Sequence, residues 1–76
     1  MFHKGDYVRL KLSPNTRMGT VEGTKLERGQ IQYFFRSDPR FYRGLPDVYL
    51  MDDELEHSPR PSDEEIARIE SLIRRG

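Results

Sequence analysis

A mainly β fold is predicted for this chain: a small five-stranded barrel followed by one C-terminal α-helix. Three observations predict it. From Tyr7 onward apolar and polar residues alternate at period two, the mark of a half-buried strand. Four further short β segments recur before residue 57, separated by Gly, Pro, Asn and Asp punctuation. After a Pro-bracketed stretch, residues 62–76 switch to the spacing of an amphipathic helix. Five short strands cannot bury both faces of a flat sheet, but they can curl around one core and hide their edges. The organisation is therefore a barrel over 1–57, a connector over 58–61 and a helix over 62–76.

The strands follow in order. Gly5-Asp6 is a turn signal, and beyond it Val8, Leu10 and Leu12 share one face while Tyr7, Arg9 and Lys11 share the other. Ser13-Pro14-Asn15 ends this strand. Met18 to Glu22 is a second, shorter strand with Val21 inward and Gly19 where a strand bends or two backbones approach closely. Residues 23–29 read as a loop bounded by two Gly. Gln30 to Arg36 is a third strand, with Ile31, Tyr33 and Phe35 on one face and Gln32, Phe34 and Arg36 on the other. Ser37-Asp38-Pro39 ends it. Residues 40–46 fit either a hairpin extension or a loop. Val48 to Met51 is the fourth strand, Asp52-Asp53-Glu54 an acidic turn, and Leu55-Glu56 the start of a closing strand. The predicted core is Val8, Leu10, Val21, Ile31, Tyr33, Val48, Leu50 and Leu55.

Pro59 and Pro61 bar a continuous helix through the connector. Ser62 then takes the N-cap position, with Glu65 at capping-box spacing. Asp63, Glu64 and Glu65 at one end and Arg74 and Arg75 at the other suit the helix dipole. Glu64–Arg68 and Glu70–Arg74 are i,i+4 pairs. Ile66, Ile69, Leu72 and Ile73 form an apolar stripe, an interaction surface for the barrel, a partner or further chain.

Composition excludes several classes of function. The chain has 76 residues, no cysteine, and thirteen basic against thirteen acidic residues. One small domain fits that length. No disulfide or thiolate metal site can form. The longest apolar runs fall far short of a membrane span of about 20 residues, and no signal core opens the sequence, so a cytoplasmic chain is expected. His3 and His57 lie far apart in sequence and read as surface residues, with a meeting near the barrel ends as the alternative, and residues 52–56 lack calcium-loop spacing. Residues 19–25 resemble a phosphate loop only superficially, since the Gly-Lys-Ser/Thr ending is missing. No nucleophile motif is present. The expectation is a non-catalytic chain with no cofactor and no metal.

Binding is what remains. Residues 1–46 hold nine Lys/Arg against four Asp/Glu, a net of +5, and residues 47–76 hold four against nine, a net of −5. Aromatics interleave with the basic residues, which suits phosphate contact and base stacking. The nucleic-acid-binding candidates are Lys11, Arg17, Arg36, Arg40, Phe41, Tyr42 and Arg43. Asp38 and the acidic turn are the residues able to neutralise them. Two partner classes stay open: DNA or RNA on the basic surface, and a protein on the helix stripe. The isolated domain is expected to be monomeric.

The motif Phe2-x-x-Gly5-Asp6-Tyr7-Val8-Arg9-Leu10, then Pro14, Arg17, Gly19-Thr20-Val21, the aromatic strand and Asp53-Glu54-Leu55-Glu56, resembles a Src-homology-3-like (Tudor-like, KOW-like) barrel. More closely, the chain is similar to the N-terminal barrel of bacterial Swi/Snf-type helicases, which are ATP-dependent DNA translocases. The resemblance spans nearly the whole chain. It implies an accessory module of a larger helicase, with the motor's catalytic motifs lying elsewhere and the module serving nucleic-acid contact or docking to the parent chain. A Tudor-like aromatic cage for a methylated cation would draw on Tyr7, Phe34, Tyr42 and Tyr49.

Overall fold

The computed structural model describes residues 1–12, 17–41 and 46–75, without the side chains of 73–75. Five strands form one antiparallel sheet: β1 (Tyr7–Leu10), β2 (Met18–Glu27), β3 (Gln30–Ser37), β4 (Val48–Met51) and β5 (Leu55–His57). Helix α1 (Asp63–Arg75) follows. The strand order is β4-β3-β2-β1-β5. A 3-10 turn over Asp52–Glu54 carries the chain from β4 at one side of the sheet to β5 at the other. The predicted class, a small barrel-like β fold with one C-terminal helix, is the one observed.

The main core lies on the concave face. Val8, Val21, Tyr33, Phe35 and Leu55 are fully buried there, Phe2 joins them, and Leu10 and Leu50 pack against the cluster. Tyr33 and Phe2 meet edge to face, with ring centroids 5.2 Å apart. Two expected core residues are not in it. Ile31 and Val48 are substantially exposed: Ile31 lies opposite Leu26 near the turn from β2 to β3, past the core, and Val48 begins β4, which has a strand neighbour on one side only. Leu12 is also exposed, since β1 ends at Leu10 and the chain turns. Phe2 was not expected. The turn at His3–Asp6 folds it back into the core, with the Asp6 amide donating to the His3 carbonyl and Gly5 at φ +95°.

β2 is longer than its sequence suggests. Residues 23–27 continue the strand, and only Arg28 and Gly29 make the turn to β3. Both have positive φ (53° and 76°), the geometry of a two-residue hairpin turn that follows the sheet twist. Arg is an unusual residue at such a φ, so the turn carries no strong sequence signal. Between Val21 and Gly23 the register with β3 shifts by one residue, a bulge that bends the strand. Of the two readings of Gly19, the structure shows the close approach: a Cβ there would overlap the backbone carbonyl of Arg36 on β3.

A second, smaller cluster lies on the convex face. Tyr7, Met18, Phe41 and Ile66 are buried together, with Ile69 against them. Through it the first two turns of α1 pack on the outside of β1 and β2. The capping box forms as expected: the Glu65 amide donates to Ser62 Oγ at 3.2 Å, and the Ser62 amide donates to Glu65 Oε1 at 3.5 Å.

Candidate functional site

The expected basic and aromatic cluster is largely consumed by the fold. Phe41 is buried under α1, so it offers no face for base stacking, a correction to the expected interface. Its burial depends on the helix docking, a contact between segments distant in sequence. Arg40 is likewise unavailable. Its guanidinium grips Asp38 through Nη2 at 2.8 Å and Nε at 3.1 Å, and reaches Asp63 on α1 through Nη1 at 2.8 Å. Arg36 is exposed but lies 3.6 Å from Asp47. Lys11 and Arg17 flank the β1–β2 connection, with the Leu10 amide bonded to the Arg17 carbonyl, and no ion pair involves either side chain among the described residues. Tyr42 and Arg43 lie outside the described residues.

Asp38 is the centre of a buried polar network. Besides Arg40, it accepts the Tyr7 hydroxyl at 2.8 Å and the Arg40 backbone amide at 3.0 Å. The Arg40 bonds hold its carboxyl at about 2, below the usual 3.8, against the opposing effect of burial. Tyr7 is pushed well above its ordinary range, first by burial, then by the hydrogen bond its hydroxyl donates to Asp38 and by that carboxylate's negative charge, both of which hold the phenol proton in place. The network ties β1, the turn after β3 and the start of α1 together. It is structural: every group in it is satisfied from within the chain.

The aromatic cage implied by the resemblance does not assemble as expected. Tyr7 is in the helix-covered cluster, whereas Phe34 and Tyr49 pair on the other half of the convex face with centroids 5.0 Å apart. The chain's own Lys25 ammonium sits 4.1 Å over the Tyr49 ring. Tyr42 lies outside the described residues.

Of the helix stripe, Ile66 and Ile69 face the barrel and Leu72 is exposed; the Ile73 side chain is not among those described. The stripe's first half is thus core, and no helix among the described residues is long and apolar enough to cross a membrane.

Sequence reasoning missed a recess at the end of the barrel. The hairpin of β2 and β3 projects past the core, leaving Leu26 and Ile31 paired across it and exposed at 72% and 43%. Between this hairpin and the first four residues lies a recess of about 410 Å³. Phe2, Ile31 and Tyr33 give it an apolar floor, while Lys4 and the backbone of Gly23 and Thr24 form its rim. A second hollow on the other side of Ile31 shares Met1 and Tyr33 and opens toward Asp52 and Asp53. The sequence signal was present in Leu26 and Ile31, but only the length of the hairpin shows that they escape burial.

Both histidines are exposed, as expected, yet they meet at one carboxylate. His57 Nε2 lies 3.1 Å from Asp6 Oδ2, which also accepts the His3 amide at 2.9 Å. The His3 amide, and then His57, lower the Asp6 pKa. Among the described residues no group of three or more His, Cys, Asp or Glu is placed to hold a metal ion. Compared with known proteins, the chain matches no family model, no curated protein and no solved structure.

Proposed function

We propose that this chain is a non-catalytic docking module that binds protein. The observation that carries this reading is the apolar recess floored by Phe2, Ile31 and Tyr33, beside the exposed Leu26 and Met1. Exposed apolar groups gathered around a hollow favour a protein ligand, because their burial drives association without charge. The opposite features weaken the nucleic-acid reading. Arg9, Arg36 and Arg40, all from the basic half, pair with Glu56, Asp47 and Asp63 from the acidic half. The resemblance to helicase N-terminal barrels supplies a setting, in which the docked protein is the remainder of a larger translocase chain.

The test is a selection of random twelve-residue peptides on the immobilised domain, run in parallel with titration of duplex and single-stranded DNA at two salt concentrations. Enrichment of peptides with a common apolar residue, lost on Ile31→Asp, is the expected result. Steep salt-dependent DNA binding that Lys11→Ala and Arg17→Ala weaken, with no peptide enriched, would overturn it.

A further inference from the structure

The recess adjoins a sheet edge that has no neighbour. β1 pairs with β2 only at Met18, Gly19 and Thr20. One residue further, Val21 is bonded on that side by the Gly5 amide at 2.7 Å and the Asp6 carbonyl at 3.0 Å. The His3–Asp6 turn then takes the chain away from the sheet, while β2 runs on to Glu27. The two-residue turn makes Glu27 and Gln30 a mutually hydrogen-bonded pair. Alternation along the ladder makes Lys25–Gln32 and Gly23–Phe34 the next such pairs. Thr24 and Leu26 therefore direct their amides and carbonyls away from β3, toward the edge that β1 leaves vacant. No backbone group among the described residues pairs with them there.

Edge and recess share one geometry. Thr24 and Leu26 stand opposite Tyr33 and Ile31, so their side chains belong to the concave face. A residue in an added strand directly opposite Thr24 would exchange backbone hydrogen bonds with it and point its side chain to that same face. There the recess waits, with Thr24 and Gly23 on its rim and Phe2, Ile31 and Tyr33 beneath. Lys4, exposed and without an ion pair among the described residues, stands at the rim as well.

From this juxtaposition we infer that the domain binds its partner by strand addition. An extended protein segment pairs with the β2 edge at residues 24–26, seats one large apolar side chain in the recess, and presents a nearby carboxylate to Lys4. The backbone ladder supplies affinity and the recess supplies specificity, the division of labour seen in sheet-edge recognition. The inference rests on the docking reading and adds to it the ligand's conformation and chemistry. A strand-length segment fits the site better than a helix, which would leave the edge amides unpaired.

The experiment uses the intact domain and a blocked nine-residue Ser/Thr peptide with a central Leu and a Glu two residues before it. Binding is followed by the amide NMR spectrum and by hydrogen exchange. Expected are shifts centred on Thr24, Lys25 and Leu26 and at least tenfold slower exchange of the Thr24 and Leu26 amides. Replacing the peptide's Leu with Ser, or methylating that Leu's amide nitrogen, weakens binding at least tenfold. Thr24→Pro does the same in the protein, because the lost amide points outward and the β3 ladder keeps its bonds. The N-methylated peptide decides the matter even if that variant fails to fold. Equal binding of the N-methylated and parent peptides overturns strand addition while leaving apolar docking intact. Slow exchange at Thr24 and Leu26 without peptide, rising with protein concentration, assigns the edge to a second copy and overturns the inference. Absence of binding by every peptide at millimolar concentration overturns it too, and a failed peptide selection alongside would overturn the docking reading as well.

Discussion

Asp38 shows how much one side chain can organise. It is 4% exposed and accepts from a phenol, a backbone amide and a guanidinium. Replacing it with Asn leaves Arg40 without its main counter-charge, and Asp38→Asn is expected to cost about 3 kcal/mol. That is the lower end for a broken buried pair, since Arg40 retains some solvent contact; urea denaturation measures it. The same carboxylate predicts an acid response. Its folded pKa of about 2 lies below the unfolded 3.8, so its contribution is complete above pH 4 and is lost as pH falls toward 2. The loss amounts to about 2 kcal/mol, and the Asp38→Asn variant should show a correspondingly flatter acid limb. Gly19 is the other residue with no substitute. Its missing Cβ lets the Arg36 carbonyl approach, and Gly19→Ala is expected to cost about 1–3 kcal/mol as β2 and β3 are forced apart.

The helix divides into a docked and an undocked part, and the two should respond differently to mutation. Ile66 is buried among Tyr7, Met18 and Phe41, so Ile66→Ala should destabilise by about 2–3 kcal/mol. Leu72 is 64% exposed, and Leu72→Ala should change stability by no more than about 0.5 kcal/mol. Thermal melts of the two variants check the contrast. The element level is also where the sequence spoke most clearly. Local signals announced the Ser62–Glu65 cap, the alternation of β1, the span of β4 and the close approach at Gly19. What was hidden depended on contacts between distant segments. Tyr7 and Phe41 looked like surface aromatics because the helix that covers them begins more than twenty residues after Phe41. The β2–β3 hairpin looked like a loop because its turn places an Arg, not an Asn or Gly, first. The recess follows from that hairpin's length, so it was hidden with it.

At the scale of the whole molecule, the neutral net charge set by composition is accompanied by pairing between the two oppositely charged halves. Among the described residues, three arginine ion pairs join the basic first half to the acidic second half. Arg9–Glu56 lies across the β1–β5 ladder, Arg36–Asp47 beside β3 and β4, and Arg40–Asp63 between barrel and helix. Each is partly or largely exposed and contributes at most about 1 kcal/mol alone. Together they divert cations that would otherwise meet phosphate. The predicted consequence is that Asp63→Asn weakens helix attachment only modestly, while leaving the Asp38–Arg40 grip intact; melting curves at low and high salt should converge more in this variant than in the parent.

The position of β5 has a further consequence, which concerns time. β1 is the first strand made, yet one of its two edges is completed by the last, through Val8–His57, Arg9–Glu56 and Leu10–Leu55. Leu55 also fills the core. While the chain is emerging during synthesis, every length that stops short of residue 55 leaves β1 half-paired and the core without a wall. The hairpin of β2 and β3 can form early from neighbouring residues, but closure must wait for a contact spanning more than forty residues. Folding is therefore all but deferred until the barrel's last strand is released, and the helix that seals Tyr7 and Phe41 arrives only after it.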